Sequence, residues 1–255
     1  MGLSEAVTEL SELLTIARDA AALASGALKA HREAWAVVTG GEGREVKIDA
    51  DVRAEALVLD ALAKRAPFPI ISEERGKVAG AAGDYVWAVD PLDGSVNYLR
   101  GYPHCAVSIG LLKHGAPVLG VVDCFVMAET FSGVVGQGAW LNGASIKVSN
   151  VADPKAGILQ TGVPARARTD AAAMAAMGEL INRWQKVRMI GSAATALAYV
   201  AAGRAEAYRE SGSMIWDVAG GCALVAAAGG EVRIEGGLDS PLEVAAGNKC
   251  VALPD

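Results

Sequence analysis

Apolar positions recur at helical spacing from the start of the chain. Leu3, Val7, Leu10, Leu14, Ala17 and Ala21 lie three or four residues apart inside an Ala-rich run that reaches about His31, which predicts a long amphipathic helix. The glycines at 40, 41 and 43 close that region. A second helical pattern, Ala54, Leu57, Val58, Ala61 and Leu62, follows Asp51 and stops before Pro67 and Pro69. The short apolar run 68–71 then delivers Ser72-Glu73-Glu74 at its end. Tyr85 to Val89 reads as a buried strand that must end in a turn at Asp90-Pro91-Leu92-Asp93-Gly94-Ser95, because proline cannot donate to a central ladder.

Segments 104–112, 117–126 and 129–135 are β-rich and separated by short breaks such as His114-Gly115, a meander of antiparallel strands, and Asn142-Gly143 adds a tight turn. After about residue 150 the pattern alternates: strand near 157–161, helix near 170–183, strand near 187–190, helix near 193–202, strand near 205–208, helix 217–228 and strand near 231–234. Alternation of that kind is an α/β signature. The expected organisation is an α+β lobe over 1–150 and an α/β lobe over 151–255. No low-complexity linker separates them, so one shared interface and cleft is expected.

Composition adds limits. Of 255 residues, 52% are apolar and 20% charged, enough to bury a core and unlike a disordered chain. Aromatics are only 5% while glycines number 30, which implies close backbone packing. A net charge of −6 argues against a nucleic-acid binder, and any phosphate this chain holds needs positive charge from elsewhere. Cys105, Cys124, Cys222 and Cys250 form no C-x-x-C pair and read as buried thiols in a reducing compartment. Glu5, Glu9 and Glu12 do not fit a signal peptide, and the apolar stretch 218–230 is too short to cross a membrane. A cytoplasmic protein is expected.

Four acids carry the candidate chemistry: Glu73, Asp90, Asp93 and Asp217. Three of them fall at a strand end or a helix start, where α/β proteins place ligands. The turn spacing Asp90-x-x-Asp93 lets two carboxylates converge, and converging carboxylates repel unless a proton or cation lies between them. Each also has a plain reading: a helix cap for Asp217, turn chemistry for Asp90-Pro91 and Asp93-Gly94, a solvated acidic spot for Glu73-Glu74. Taken together they suggest an oxygen-only site for Mg²⁺ or Mn²⁺, whereas zinc would want histidines, and His31, His104 and His114 read as structural or exposed. Two to three divalent ions would offset four carboxylates and create a receptor for a phosphate dianion. Gly94 and Ser95, opening a short helix at 95–100, would add N–H groups and a hydroxyl.

Asp90-Pro91-Leu92-Asp93-Gly94-Ser95, followed by Asn97, Gly101 and Pro103, resembles the first signature of the inositol monophosphatase family, and Trp216-Asp217-Val218-Ala219-Gly220-Gly221 resembles the second. Asp51, Glu73, Gly136-x-Gly138-Ala139-x-x-Asn142-Gly143 and Gly191-Ser192-Ala193-Ala194 follow in the family's order, so the resemblance covers about residues 5–250. It implies a layered α-β-α-β-α sandwich and a Mg²⁺-dependent, lithium-sensitive phosphomonoesterase that forms a homodimer. By the same resemblance Glu73, Asp90 and the Leu92 carbonyl would hold one ion. Asp90, Asp93 and Asp217 would hold a second, and a third would lie near Glu73. Glu73, Ser95 and Asp51 would serve the attacking water. Asp93, Gly94, Ser95, Gly191, Ser192, Ala193, Glu210 and Asp217 would face the substrate.

Two departures from the family pattern stand out. Position 95 is Ser where Thr is common, and the loop lysine of some members has no counterpart in Gly40-Gly41-Glu42-Gly43-Arg44, leaving Arg44 or Lys47 to replace it. That glycine-rich stretch reads as a lid or as plain turn glycine. The Ser95-Val96-Asn97-Tyr98 run resembles the inositol and fructose-bisphosphate members of the family, a resemblance that implies inositol-1-phosphate, with fructose 1,6-bisphosphate or another sugar or nucleotide phosphate as alternatives. A non-catalytic metal- or phosphate-binding regulatory module is the competing class. A dinucleotide enzyme is disfavoured, since Gly133-x-x-Gly136-x-Gly138 opens no helix.

Overall fold

The N-terminal periodicity folds as one helix of 28 residues, α1 (Leu3–Ala30), whose stripe of Leu13, Ala17, Ala20, Ala21, Ala24 and Leu28 is buried. The structure is a computed structural model that describes residues 3–42, 46–164, 167 and 169–254. A short helix α2 (Arg32–Trp35) and an antiparallel pair, β1 (Val38–Gly40) with β2 (Lys47–Ile48), lead into α3 (Asp49–Arg65). Helix α3 buries Ala54, Val58, Leu59 and Leu62 in the core that α1 shares.

Eight strands follow in one sheet: β3 (Ile70–Ser72), β4 (Gly76–Val78), β5 (Tyr85–Asp93), β6 (Ala106–Lys113), β7 (Ala116–Cys124), β8 (Glu129–Val134), β9 (Gly138–Leu141) and β10 (Ala144–Ile146). Their order is β10-β9-β8-β7-β6-β5-β3-β4, and every pair is antiparallel except β3 with β5. Helix α4 (Ser95–Arg100) leaves the end of β5, as the sequence suggests. One expectation is corrected here, because β5 does not stop before Pro91. The ladder to β6 pairs Asp90 with Ser108 and then Asp93 with Ala106, so Pro91 occupies the irregular step between them, where no donor is required.

A second sheet of five strands holds β11 (Ile158–Thr161), β12 (Lys186–Met189), β13 (Ala207–Ser213), β14 (Glu231–Glu235) and β15 (Leu242–Gly247), ordered β12-β11-β13-β15-β14. Its helices are α5 (Ala171–Arg183), α6 (Ala193–Ala201) and α7 (Ile215–Ala227). Strand β11 runs parallel to both neighbours, but β15 is antiparallel to β13 and β14, so the alternation in the sequence describes only half of this sheet.

Three cores define the layers. Helices α1 and α3 cover one face of the large sheet, burying Trp87, Val89, Val107, Ile109 and Val121. Helices α6 and α7 lie between the sheets, with Leu197, Val218, Cys222 and Val225 buried there. Helix α5 covers the far side of the small sheet through Leu180, beside Leu159, Trp184, Ala207 and Val251. The result is the α-β-α-β-α sandwich. Helix α7 approaches the large sheet so closely that a Cβ on Gly110 would lie 2.6 Å from Ala219 Cβ, and one on Gly120 would strike the Gly220 carbonyl. This is the backbone packing that the glycine content implies. Cys105, Cys124 and Cys222 are buried free thiols, whereas Cys250 is exposed, contrary to the reading of all four as buried. No helix among the described residues is long and apolar enough to cross a membrane.

Candidate active site

Three strand ends and three helix starts meet at a cavity of about 250 Å³. The turn after β3 brings Glu73 and the end of β5 brings Asp90, Leu92 and Asp93. The entry to α4 adds Gly94 and Ser95, and the first turn of α7 adds Asp217. Gly191, Ser192 and Ala193 at the start of α6, and Glu210 on β13, line the same cavity. Every residue expected to hold a cation or face the substrate thus lines this cavity, whereas Asp51 stands behind it in the first turn of α3. The Ser95 hydroxyl lies 2.9 Å from Asp51 Oδ1 and 3.0 Å from the Leu92 carbonyl, and its one proton is shared between these acceptors. The other Asp51 oxygen accepts from the Ile48 N–H at 3.0 Å and so closes the N-terminus of α3.

The electrostatics are those of crowded acids. Burial raises Glu73 well above the usual carboxylate range, and the charges of Asp217, Asp51, Glu74 and Asp93 raise it further. Asp90 is likewise pushed well up, by burial first and then by Glu73, Asp93 and Asp217. Asp93 rises to about 6 because burial outweighs the hydrogen bonds it receives. Acids so placed are relieved by protons or by a cation.

The local hydrogen bonds qualify the expected cage. Asp90 Oδ1 accepts from the Leu92 N–H at 3.0 Å. Asp93 accepts from the Ser192 hydroxyl at 2.6 Å and from the Ala193 and Ala194 N–H groups at 3.3 and 2.7 Å. Asp217 accepts from the Met214 N–H at 2.7 Å. Among the described residues no three His, Cys, Asp or Glu side chains are gathered at the spacing of a ready-made metal site. The carboxylates line one cavity and feel one another's charge, and holding a single ion together would require them to turn within it. In donor chemistry the set fits a hard divalent cation, being all oxygen and acidic.

Some plain readings hold as well. Asp217 does close a helix N-terminus, but from the third position of α7, which begins at Ile215 rather than at 217. The Ala193 N–H, expected to face substrate, already serves Asp93. Gly43 and Arg44 of the glycine-rich loop lie outside the described residues, while Lys47 pairs with Glu74 at 2.8 Å beside Glu73.

The cavity also has lining residues that the sequence reading missed. Thr161, Gly162, Val163 and Pro164 line it after β11, another strand end of the kind already used for the other candidates. Glu210 Oε2 accepts from the Tyr208 and Ser213 hydroxyls, and a Cβ on Gly162 would collide with Oε1. Tyr208 and Ser213 were invisible because their role exists only once β13 is folded around Glu210.

The layered fold and this acidic, oxygen-lined cavity describe a phosphatase-like architecture. The chain belongs to the inositol monophosphatase family, whose model matches residues 9–248. It is 41% identical to the Nus factor SuhB of Xylella fastidiosa over 197 residues, 76% of this chain and 70% of that one. To the inositol-1-monophosphatase of a Synechocystis species it is 37% identical over 209 residues, 81% of this chain and 72% of that one. The solved structure of inositol monophosphatase from Anabaena (Nostoc) superposes with a TM-score of 0.83 at 36% identity, covering 94% of this chain and 92% of that one.

Proposed function

We propose that the protein is a Mg²⁺-dependent phosphomonoesterase of polyol phosphates, with inositol-1-phosphate as its first substrate and fructose 1,6-bisphosphate as a second. The observation that carries this reading is the arrival of Glu73, Asp90, Asp93 and Asp217 at one cavity with Ser95 and Glu210. Glu73, Asp90, the Leu92 carbonyl, Asp93 and Asp217 would hold the cations. Divalent ions bound there supply the positive charge a phosphoryl group needs and make water more acidic. Asp51 orients the Ser95 hydroxyl, and that hydroxyl together with Glu73 would position the water that attacks phosphorus. Glu210, with one oxygen held by Tyr208 and Ser213, presents the other to a substrate hydroxyl. Asp93 is fixed by Ser192 and the start of α6, so the cation wall and the substrate wall are joined.

A second reading draws on relatives named Nus factor SuhB, a name that is not an enzyme's. It makes this chain a regulatory module of the same fold, in which the cavity serves ligand binding alone. Phosphate release from a panel of monoesters, with and without Mg²⁺, separates the two. The enzyme reading expects cation-dependent release from a polyol ester and a loss on the order of 10²-fold in Asp93→Asn, as when a metal site is damaged. Full activity in EDTA would overturn the cation mechanism. A wild type that binds Mg²⁺ yet releases no phosphate would favour the module.

A further inference from the structure

Helix α3 carries a second acid one turn beyond Asp51. Glu55 is fully buried, lies outside the motifs discussed above and does not line the cavity. Residues four apart share a helix face, so Asp51 and Glu55 project side by side toward the same end of the large sheet. Asp51 reaches Ser95; Glu55 reaches the turn that carries Glu73.

That turn is held from outside. Strand β3 pairs with β4 through Ser72 and Gly76, which leaves Glu73, Glu74 and Arg75 as the connection. Glu55 Oε1 accepts from the Ser72 hydroxyl, from the Glu74 N–H at 3.1 Å and from the Arg75 N–H at 3.0 Å. One oxygen therefore grips the chain on both sides of Glu73. Glu55 Oε2 makes no hydrogen bond and faces the Arg75 guanidinium, whose Nε lies 3.2 Å away. A buried carboxylate is costly unless paired and hydrogen-bonded, and the hydrogen bonds to Oε1 and the ion pair at Oε2 all come from Ser72, Glu74 and Arg75.

We propose that Glu55 is a positioning residue for Glu73: by clamping Ser72, Glu74 and Arg75 it fixes the backbone from which the Glu73 carboxylate enters the cavity. The inference rests on the reading of Glu73 as a cation-holding group. Helix α3 then sets two parts of the site at once, the Ser95 hydroxyl through Asp51 and the Glu73 carboxylate through Glu55. Supporting groups of this kind hold ligating side chains to tolerances that local turn chemistry does not.

The test compares wild type with Glu55→Gln, which keeps an acceptor oxygen and loses the charge, Glu55→Ala, which removes the grip, and Ser72→Ala, which deletes one donor and serves if Glu55→Ala does not fold. Three measurements are made: amide exchange at Glu74 and Arg75 in EDTA, calorimetric binding of Mg²⁺ or Mn²⁺ alone, and the Mg²⁺ concentration that half-activates phosphate release. Loss of a group that orients a metal ligand costs on the order of 10- to 100-fold in affinity, so Glu55→Ala should weaken cation binding by that factor. Glu55→Gln and Ser72→Ala should fall between it and wild type, with faster exchange confined to the turn and KM for the ester unchanged at saturating Mg²⁺.

Wild-type cation affinity and wild-type exchange in folded Glu55→Gln and Ser72→Ala would overturn the proposal. So would general loss of protection with unchanged cation affinity, the mark of a merely structural residue. A wild type that binds the ions but hydrolyses no ester would sink the phosphatase reading while the Glu55 series still decides positioning. A wild type that binds neither ion overturns both.

Discussion

At the scale of single residues, Asp51 shows how burial turns a positioning group into a pH-sensitive one. Its carboxyl rises from 3.8 to about 6, mainly through burial, while the Ile48 N–H and Ser95 hydroxyl pull it down and Glu74 pushes it up. A carboxyl that holds its proton more tightly when folded stabilises the fold fully below about pH 4, and this contribution is lost as pH rises through about 6. Asp51→Asn keeps an acceptor for the Ile48 N–H but has no proton to lose. The stability of wild type relative to this variant, measured by urea unfolding in EDTA, should therefore fall between pH 4 and pH 7. The fall should be at most about 3 kcal/mol, each pK unit being worth about 1.4 kcal/mol. A difference that grows with pH would refute this account of Asp51. The residues legible in the sequence share a trait: Asp90, Asp93 and Asp217 sit in short segments whose turn or helix-start chemistry is itself visible. Glu55 gives no such signal, because its three donors lie 17 to 20 residues downstream and meet it only when β3 packs on α3.

Among elements, the long periodic ones were readable and the irregular ones were not. Helices α1 and α3 show their buried stripes as spacing, and the β6–β7–β8 meander shows its breaks. Strand β5 defeats the proline rule because a proline is tolerated where the ladder skips a step, and that skip is what aims Asp90 and Asp93 at one cavity. Strand β15 gave no alternation to read, since five of its six residues are buried, and its antiparallel entry between β13 and β14 is a tertiary choice. Helix α7 is the element on which the site depends most, for it carries Asp217 and presses its backbone on β6 and β7. Gly120→Ala puts a methyl group into the Gly220 carbonyl and should destabilise the fold by about 1–3 kcal/mol or more, the usual cost of overpacking. Urea denaturation checks it, and a neutral effect would mean that α7 can back away from the sheet at no cost. Since backing away moves Asp217, the variant should also lose activity beyond its loss of folded protein.

For the whole molecule, the cavity draws on elements spread from residue 73 to residue 217, with the inter-sheet helices α6 and α7 supplying Ser192, Ala193 and Asp217. Glu73, Asp90 and Asp93 meet at the ends of neighbouring strands of one sheet, but Asp217 joins them only once α7 has packed on that sheet, so a cation held by all four would be coupled to folding. A ligand that binds only the folded state stabilises it by about 2.7 kcal/mol at one hundred times its dissociation constant. For a chain of this size each kcal/mol moves the midpoint by about 2–4 °C, so saturating Mg²⁺ should raise Tm by about 5–10 °C over EDTA. Asp93→Asn should lose most of that rise, because it removes a charge from the cavity wall while leaving the Ser192 and Ala194 contacts an acceptor. The comparison needs no substrate, and it separates a chain built around a cation from one that only shares the family's shape. If Mg²⁺ leaves the wild-type midpoint where EDTA sets it, the buried acids of this cavity are neutralised by protons, and the −6 charge of the chain is never offset where a phosphate would have to bind.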